Sequence, residues 1–195
     1  MPRPLPAPAL TFPSELLLKA QGSGLGIKCA IFDVDGVLTD GRLYIGEHGE
    51  TVKAFHTLDG HGLKLLARAG ILPLVITGRD SAAVRRRVAD LGLVHAVYGA
   101  QDKLAAAEAQ LAALGVGWAD TAAIGDDWPD LPLLLRAAFA CASANAHAEV
   151  RAVSDHVTSR PGGHGAAREF CDLLLVASGR YAALLRSETR TLDAA

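Results

Sequence analysis

The chain alternates short apolar runs with longer stretches in which apolar residues recur every three or four positions. The short runs are "IKCAIF" (27–32), "ILPLVI" (71–76), "VHAVY" (94–98), "TAAI" (121–124), "AFACA" (138–142) and "HVT" (156–158). They are too brief for helices and show no polar alternation, which predicts strands buried on both faces. The stretches between them predict helices over 60–70, 80–92, 102–115, 131–137, 145–153 and 165–178. Glycines at 70, 92 and 115 close three of these, and Asp80 or Ser81 offers a cap for the second. "LYI" and "TVKAF" flank "GEHG" (46–49), the pattern of a β-hairpin with glycines at its turn. Strands alternating with helices predict an α/β, Rossmann-like parallel sheet with helices on both faces. The hairpin is a small insertion after the first strand. Between Asp40 and Thr77 there is room for the hairpin and one helix, hence no large cap domain.

This places the folded domain at 27–178. Residues 1–26 read as an N-terminal tail and linker, Pro-rich and then Gly-rich, with a short helix at 14–20. Residues 179–195 read as a polar C-terminal tail, mobile at its end.

Composition narrows the partners. Half of the 195 residues are hydrophobic and 21% are charged, enough apolar side chain for a single core. The 19 basic and 21 acidic residues leave a net charge of −2, so no global basic field points to nucleic acid or to a membrane surface. An anionic substrate has to be met by a local cluster. The three cysteines, Cys29, Cys141 and Cys171, lie in apolar contexts without metal-type spacing, which fits buried free thiols in a reducing cytoplasm. No apolar run approaches the roughly 20 residues of a membrane span, and "LLL" at 16–18 is short for a signal-peptide core.

Ligands of open parallel sheets bind beyond the strand C-termini, and four polar signatures fall there. Asp33 and Asp35 follow the first strand; one could act as a nucleophile and the other as a general acid and base, with Gly36 allowing a sharp turn. Thr77 and Gly78 stand at a strand–turn–helix junction that suits an anion. Lys103, at a helix start, could offset phosphoryl charge. Asp126, Asp127 and Asp130 add hard oxygen ligands which, beside Asp33, would suit Mg²⁺.

"DVDGVLTDG", "ITGR", "DK" and "GDDWPD", in this order, resemble the four motifs of the haloacid dehalogenase-like hydrolases. "DGRLYIGEHGETVKAFHTLDGHGLKLL", "ITGRDS", "GAQDKL" and "GGHGAAREFCDLLL" are similar to the branch of that family acting on 3-deoxy-manno-octulosonate 8-phosphate, in lipopolysaccharide precursor synthesis. The resemblance covers about residues 26–178 and implies a mechanism. Asp33 attacks phosphorus to form an aspartyl-phosphate, while Asp35 protonates the leaving alkoxide and then activates water. Thr77 and Lys103 hold phosphoryl oxygens. Mg²⁺ sits between the Asp33 carboxylate, the Asp35 backbone carbonyl and Asp126. Asp127 or Asp130 orients waters or Lys103 from outside this group.

The resemblance also implies a sugar-acid phosphate as substrate, contacted by His56, Thr57, Leu58, Asp59, Gly60, Lys64, Gly78, Arg79, Arg87 and Lys103. It implies a homotetramer in which neighbours cover the open site, with 162–168 as an arm reaching a neighbour. Lys64 and His164 stand where the family more often has arginine. Related readings are a nonulosonate 9-phosphate as substrate, a phospho-acceptor signalling domain, or a silent binding protein. The strand "ILPLVI" ends in Thr77 rather than the Asp that a phospho-acceptor needs, and every motif residue of the hydrolase is present.

Overall fold

The computed structural model describes residues 7–22 and 26–189. In chain order its elements are α1 (Ser14–Lys19), β1 (Cys29–Phe32), the hairpin β2 (Tyr44–Gly46) and β3 (Gly49–Val52), α2 (Thr57–Arg68), β4 (Leu72–Ile76), α3 (Ala82–Leu91), β5 (His95–Val97), α4 (Lys103–Leu114), β6 (Thr121–Gly125), α5 (Leu131–Leu134), β7 (Phe139–Ala142), α6 (Ala148–Val153), β8 (His156–Val157), α7 (Ala166–Ala177) and α8 (Tyr181–Thr189). Single 3₁₀ turns at Trp118–Asp120 and Trp128–Asp130 flank β6.

Six strands form one parallel sheet in the order β5-β4-β1-β6-β7-β8, and β2 and β3 pair antiparallel as a separate ribbon. Successive residues of the central strands feed opposite cores. Ala30 and Phe32 face α2 and α7, where Phe170 meets the Phe32 ring edge-on at 5.5 Å and stacks on Phe139 at 6.4 Å. Cys29 and Ile31 face the opposite layer, with Leu111 of α4, Leu133 of α5 and Val150 of α6. Burial on both faces explains why the strands read as unbroken apolar runs. The three cysteines are free and buried, and burial raises each thiol, Cys29 to about 12. No helix among the described residues is long and apolar enough to cross a membrane.

The chain runs outward from β1 to β4 and β5, then returns to the other side of β1 for β6, β7 and β8. The direction therefore reverses at β1, and the C-terminal ends of β4, β1 and β6 lie side by side. Such a switch point opens a crevice above the sheet.

Two segments depart from the sequence-based expectation, and a third, part of the expected arm, makes contacts within this chain. Helix α2 begins at Thr57 rather than 60, because His56 Nδ1 accepts from the Leu58 amide at 3.2 Å and caps it. His56–Gly60 is therefore a cap and a first helical turn. Where the sequence suggests a tail from 179, α8 covers 181–189: Tyr181 and Leu184 pack on the core, Arg68 bonds Glu188 and Ser187, and Arg180 donates to the Ala69 carbonyl. Residues 190–195, the rest of that expected tail, lie outside the described residues, as do 1–6 and 23–25 of the N-terminal tail and linker. Finally, residues 162–165 dock on this chain's own β1 loop. Gly163 donates to the Val37 carbonyl at 3.0 Å, and Gly162 lies so close that a Cβ there would stand 1.8 Å from the Gly36 carbonyl oxygen.

Candidate active site

The loop after β1 presents Asp33, 6% exposed, at the centre of the crevice. Gly36 turns that loop with a φ of +99°, and a Cβ there would stand 2.0 Å from Asp126 Oδ2, so only glycine fits. Thr77, directly after β4, is buried; its hydroxyl accepts from the Arg79 amide at 3.3 Å. Lys103 is the first residue of α4, whose Asp102 cap accepts from the Ala105 amide at 3.0 Å.

Lys103 is the hinge of the electrostatics. Its ammonium donates to Asp33 Oδ1 at 2.6 Å and to Asp130 Oδ1 at 2.7 Å, with all three side chains at most 8% exposed. Asp130 in turn accepts from the amides of Asp126 at 3.0 Å and Asp127 at 3.4 Å, so one carboxylate aims the lysine and folds the loop after β6. Asp127 points outward and caps the 3₁₀ turn, accepting from the Trp128 amide at 2.8 Å.

Carboxylate oxygens of Asp33, Asp126 and Asp130 lie within 4.8 Å of one another, and theirs is the single potential metal-holding group found among the described residues. Burial and then the Asp130 charge push Asp33 up to about 7, against the pull of Lys103. Burial, then Asp33 and Asp130, push Asp126 to about 8. One lysine thus faces two buried acids and a third that is half-buried, and the deficit of positive charge suits a hard dication with oxygen ligands.

Asp33, Asp35, Thr77, Gly78, Arg79, Lys103, Asp126, Asp127 and Asp130 all line one open cavity of 290 Å³. The other expected substrate contacts do not reach it within this chain. Asp59 is 1% exposed and caps α7, accepting from the amides of Arg168 at 2.8 Å and Gly165 at 3.2 Å. Arg87 lies against Gly60 and over the Phe55 ring at 5.8 Å, and donates to the His56 carbonyl at 3.3 Å. Lys64, Thr57 and Leu58 are exposed on α2. A larger hollow of 550 Å³ lies elsewhere, between Phe12, Leu58 and Tyr181. Its charges are mostly spent on one another: Arg168 pairs with Asp172 at 2.9 Å, and Glu169 holds His156 and Ser159.

Two residues of the site escape a reading of the sequence. Lys53, just past β3, buries its ammonium between Asp35 and Glu50. Both look like ordinary polar positions of a hairpin strand, and only the docking of the ribbon on the β1 loop reveals them.

Comparison with known proteins bears on this site. The sequence pattern of the haloacid dehalogenase-like hydrolases matches residues 97–170. A 3-deoxy-D-manno-octulosonate 8-phosphate phosphatase of Salmonella typhi is 42% identical over 154 residues, which is 79% of this chain and 82% of that protein. The phosphatase of the same name from Haemophilus influenzae is 45% identical over 154 residues, covering 79% of this chain and 86% of its own. Among solved structures, the Moraxella catarrhalis phosphatase of that name, in complex with magnesium ion, phosphate ion and a KDO molecule, superposes with a TM-score of 0.84 at 40% identity, covering 89% of this chain and 98% of the other.

Proposed function

We propose that this chain, which belongs to the haloacid dehalogenase-like hydrolases and within them to the family of the 3-deoxy-D-manno-octulosonate 8-phosphate phosphatases, hydrolyses that sugar-acid phosphate to the free sugar acid and phosphate in lipopolysaccharide precursor synthesis. The observation that carries this reading is the convergence of Asp33, Asp35, Thr77, Lys103 and Asp126 on one cavity above the switch point.

Asp33 is the nucleophile. Its carboxylate forms a bond to phosphorus while the bond from phosphorus to the sugar oxygen breaks, leaving an aspartyl-phosphate. Asp35 gives its proton to the departing alkoxide, which leaves as the sugar hydroxyl. The Asp35 carboxylate then takes a proton from water, the water oxygen bonds to phosphorus, and Asp33 is released as a carboxylate with inorganic phosphate. Lys103 both fixes Asp33 and supplies positive charge for the phosphoryl oxygens, to which Thr77 donates its hydroxyl. Magnesium would be held by the carboxylates of Asp33 and Asp126 and the backbone carbonyl of Asp35, and when bound supplies the positive charge that the three acids and the phosphoryl group call for.

Arg79, half-exposed at the cavity mouth, serves the sugar-acid end. The exposed side of α2, with Thr57, Leu58 and Lys64, serves it across a homotetramer. Asp59, Gly60 and Arg87 act through the fold, by seating α2 against α7 and α3.

The test is phosphate release from octulosonate 8-phosphate, a nonulosonate 9-phosphate and hexose phosphates, with Mg²⁺ and with chelator. Preference for the octulosonate, lost with chelator and abolished in a folded Asp33→Asn variant, is expected. Preference for the nonulosonate would move the substrate assignment, and turnover by Asp33→Asn would remove the nucleophile.

A further inference from the structure

We infer that Lys53 is a positioning residue for Asp35, and that Glu50 fixes Lys53 for this task. The Lys53 side chain is 0% exposed, pairs with Asp35 Oδ1, and lies 2.6 Å from Glu50 Oε1. A buried ammonium is costly even when paired, and an apolar side chain of similar shape would often serve stability as well. Its presence beneath one oxygen of a reacting carboxyl therefore points to the reaction.

The geometry assigns different work to the two oxygens of Asp35. Oδ1 is engaged by the enclosed lysine. Oδ2 is the oxygen on the side of Arg79, whose Nε stands 3.9 Å away and which lines the cavity. Lys53 thus sets the rotation of the carboxyl so that Oδ2 meets the leaving group. Through both steps Lys53 remains an ammonium; the proton that moves is the one on Asp35. Glu50 stands on the far side of the ammonium, and although burial raises its carboxyl, Lys53, with Ser81 and Arg79, holds it below the ordinary range. The hairpin that looks like a surface appendage is in this way part of the acid–base apparatus.

The inference rests on the acid–base role proposed above for Asp35, and the experiment separates the two. Full-length wild type, Lys53→Met and Lys53→Arg are compared with Mg²⁺ on two substrates. Octulosonate 8-phosphate loses an alkoxide that needs a proton; p-nitrophenyl phosphate loses a stable phenolate that needs little. A misaimed general acid is expected to lower kcat/KM for the sugar phosphate about 100-fold and for the aryl phosphate less than about 5-fold. Lys53→Arg is expected to recover part of the loss. Equal losses on both substrates, or no loss, would overturn the inference and leave the phosphatase reading intact. A wild type that hydrolyses neither substrate, or an active Asp33→Asn, would take both down. Should Lys53→Met not fold, Glu50→Gln is the second variant: it keeps the Lys53–Asp35 pair but frees the lysine, and the same bias toward the sugar phosphate, smaller in size, is required of it.

Discussion

Replacing Lys103 by Met separates charge from shape at the centre of the site. The methionine keeps most of the volume at the start of α4, so packing changes little. The ammonium lost from it is the one that bonds both Asp33 and Asp130, at 2.6 and 2.7 Å. Removing one partner of a buried ion pair leaves uncompensated charge and costs about 3–5 kcal/mol. In a chain of this length 1 kcal/mol moves the melting temperature by about 2–4 °C, so a drop of about 6–20 °C is expected at pH 8 without metal.

The same variant should be far less impaired at pH 5. Burial and the neighbouring acids push Asp33 up to about 7 and Asp126 up to about 8 in the native state, well above the ordinary carboxylate range. Their contribution to stability is therefore complete below the unfolded value and is lost as pH rises through the folded values. Wild type should show this slope between pH 5 and 8.5, and Lys103→Met should show it more steeply, since nothing then offsets the ionised acids. Magnesium should restore more stability at pH 8 than at pH 5. Thermal unfolding followed by circular dichroism, at both pH values with and without Mg²⁺, measures all four conditions. A deficit below about 1 kcal/mol, or one equal at pH 5 and pH 8, would refute the charge argument.

Two further substitutions test the frame around the site. Asp59→Ala removes the α7 cap, a carboxylate that accepts from two amides at 2.8 and 3.2 Å, and should cost about 1–2 kcal/mol in urea unfolding, with Asp59→Asn losing less; unchanged stability would return Asp59 to a purely substrate-binding role. Gly162→Ala would drive a methyl to 1.8 Å from the Gly36 carbonyl, so phosphatase activity should fall at least about tenfold as the β1 loop is displaced, a result read from initial rates beside the circular dichroism spectrum.

What could be read along the chain was what the chain decides locally. The strands were legible because burial on both faces forbids polar residues in them, and Asp33, Thr77, Lys103 and Asp126 because each stands at the end of a strand or the start of a helix. Their convergence followed from sheet topology alone. Lys53 was not legible: in "GETVKAF" it looks like the solvated face of a ribbon, and its burial comes from docking on a loop 18 residues earlier. Asp59 was named only through the family resemblance, as a substrate contact, and its capping role was not legible because its partners lie 106 and 109 residues away. Helix α8 is short and of mixed composition, and what orders it is packing of Tyr181 and Leu184 on the distant core together with pairing to Arg68 and the backbone at Ala69.

The docking of Gly162 and Gly163 on the β1 loop also bears on how the chain comes to be folded. Asp33 leaves the ribosome before the segment that seats its loop, which is made more than a hundred residues later. Until that segment arrives, the loop bearing Asp33 and Asp35 lacks one wall, and α7 cannot yet be capped by Asp59. Contacts so distant along the chain close slowly. The β1 loop is thereby seated only after the strands around it have been made, so the order of synthesis puts its closing contacts among the late steps of folding.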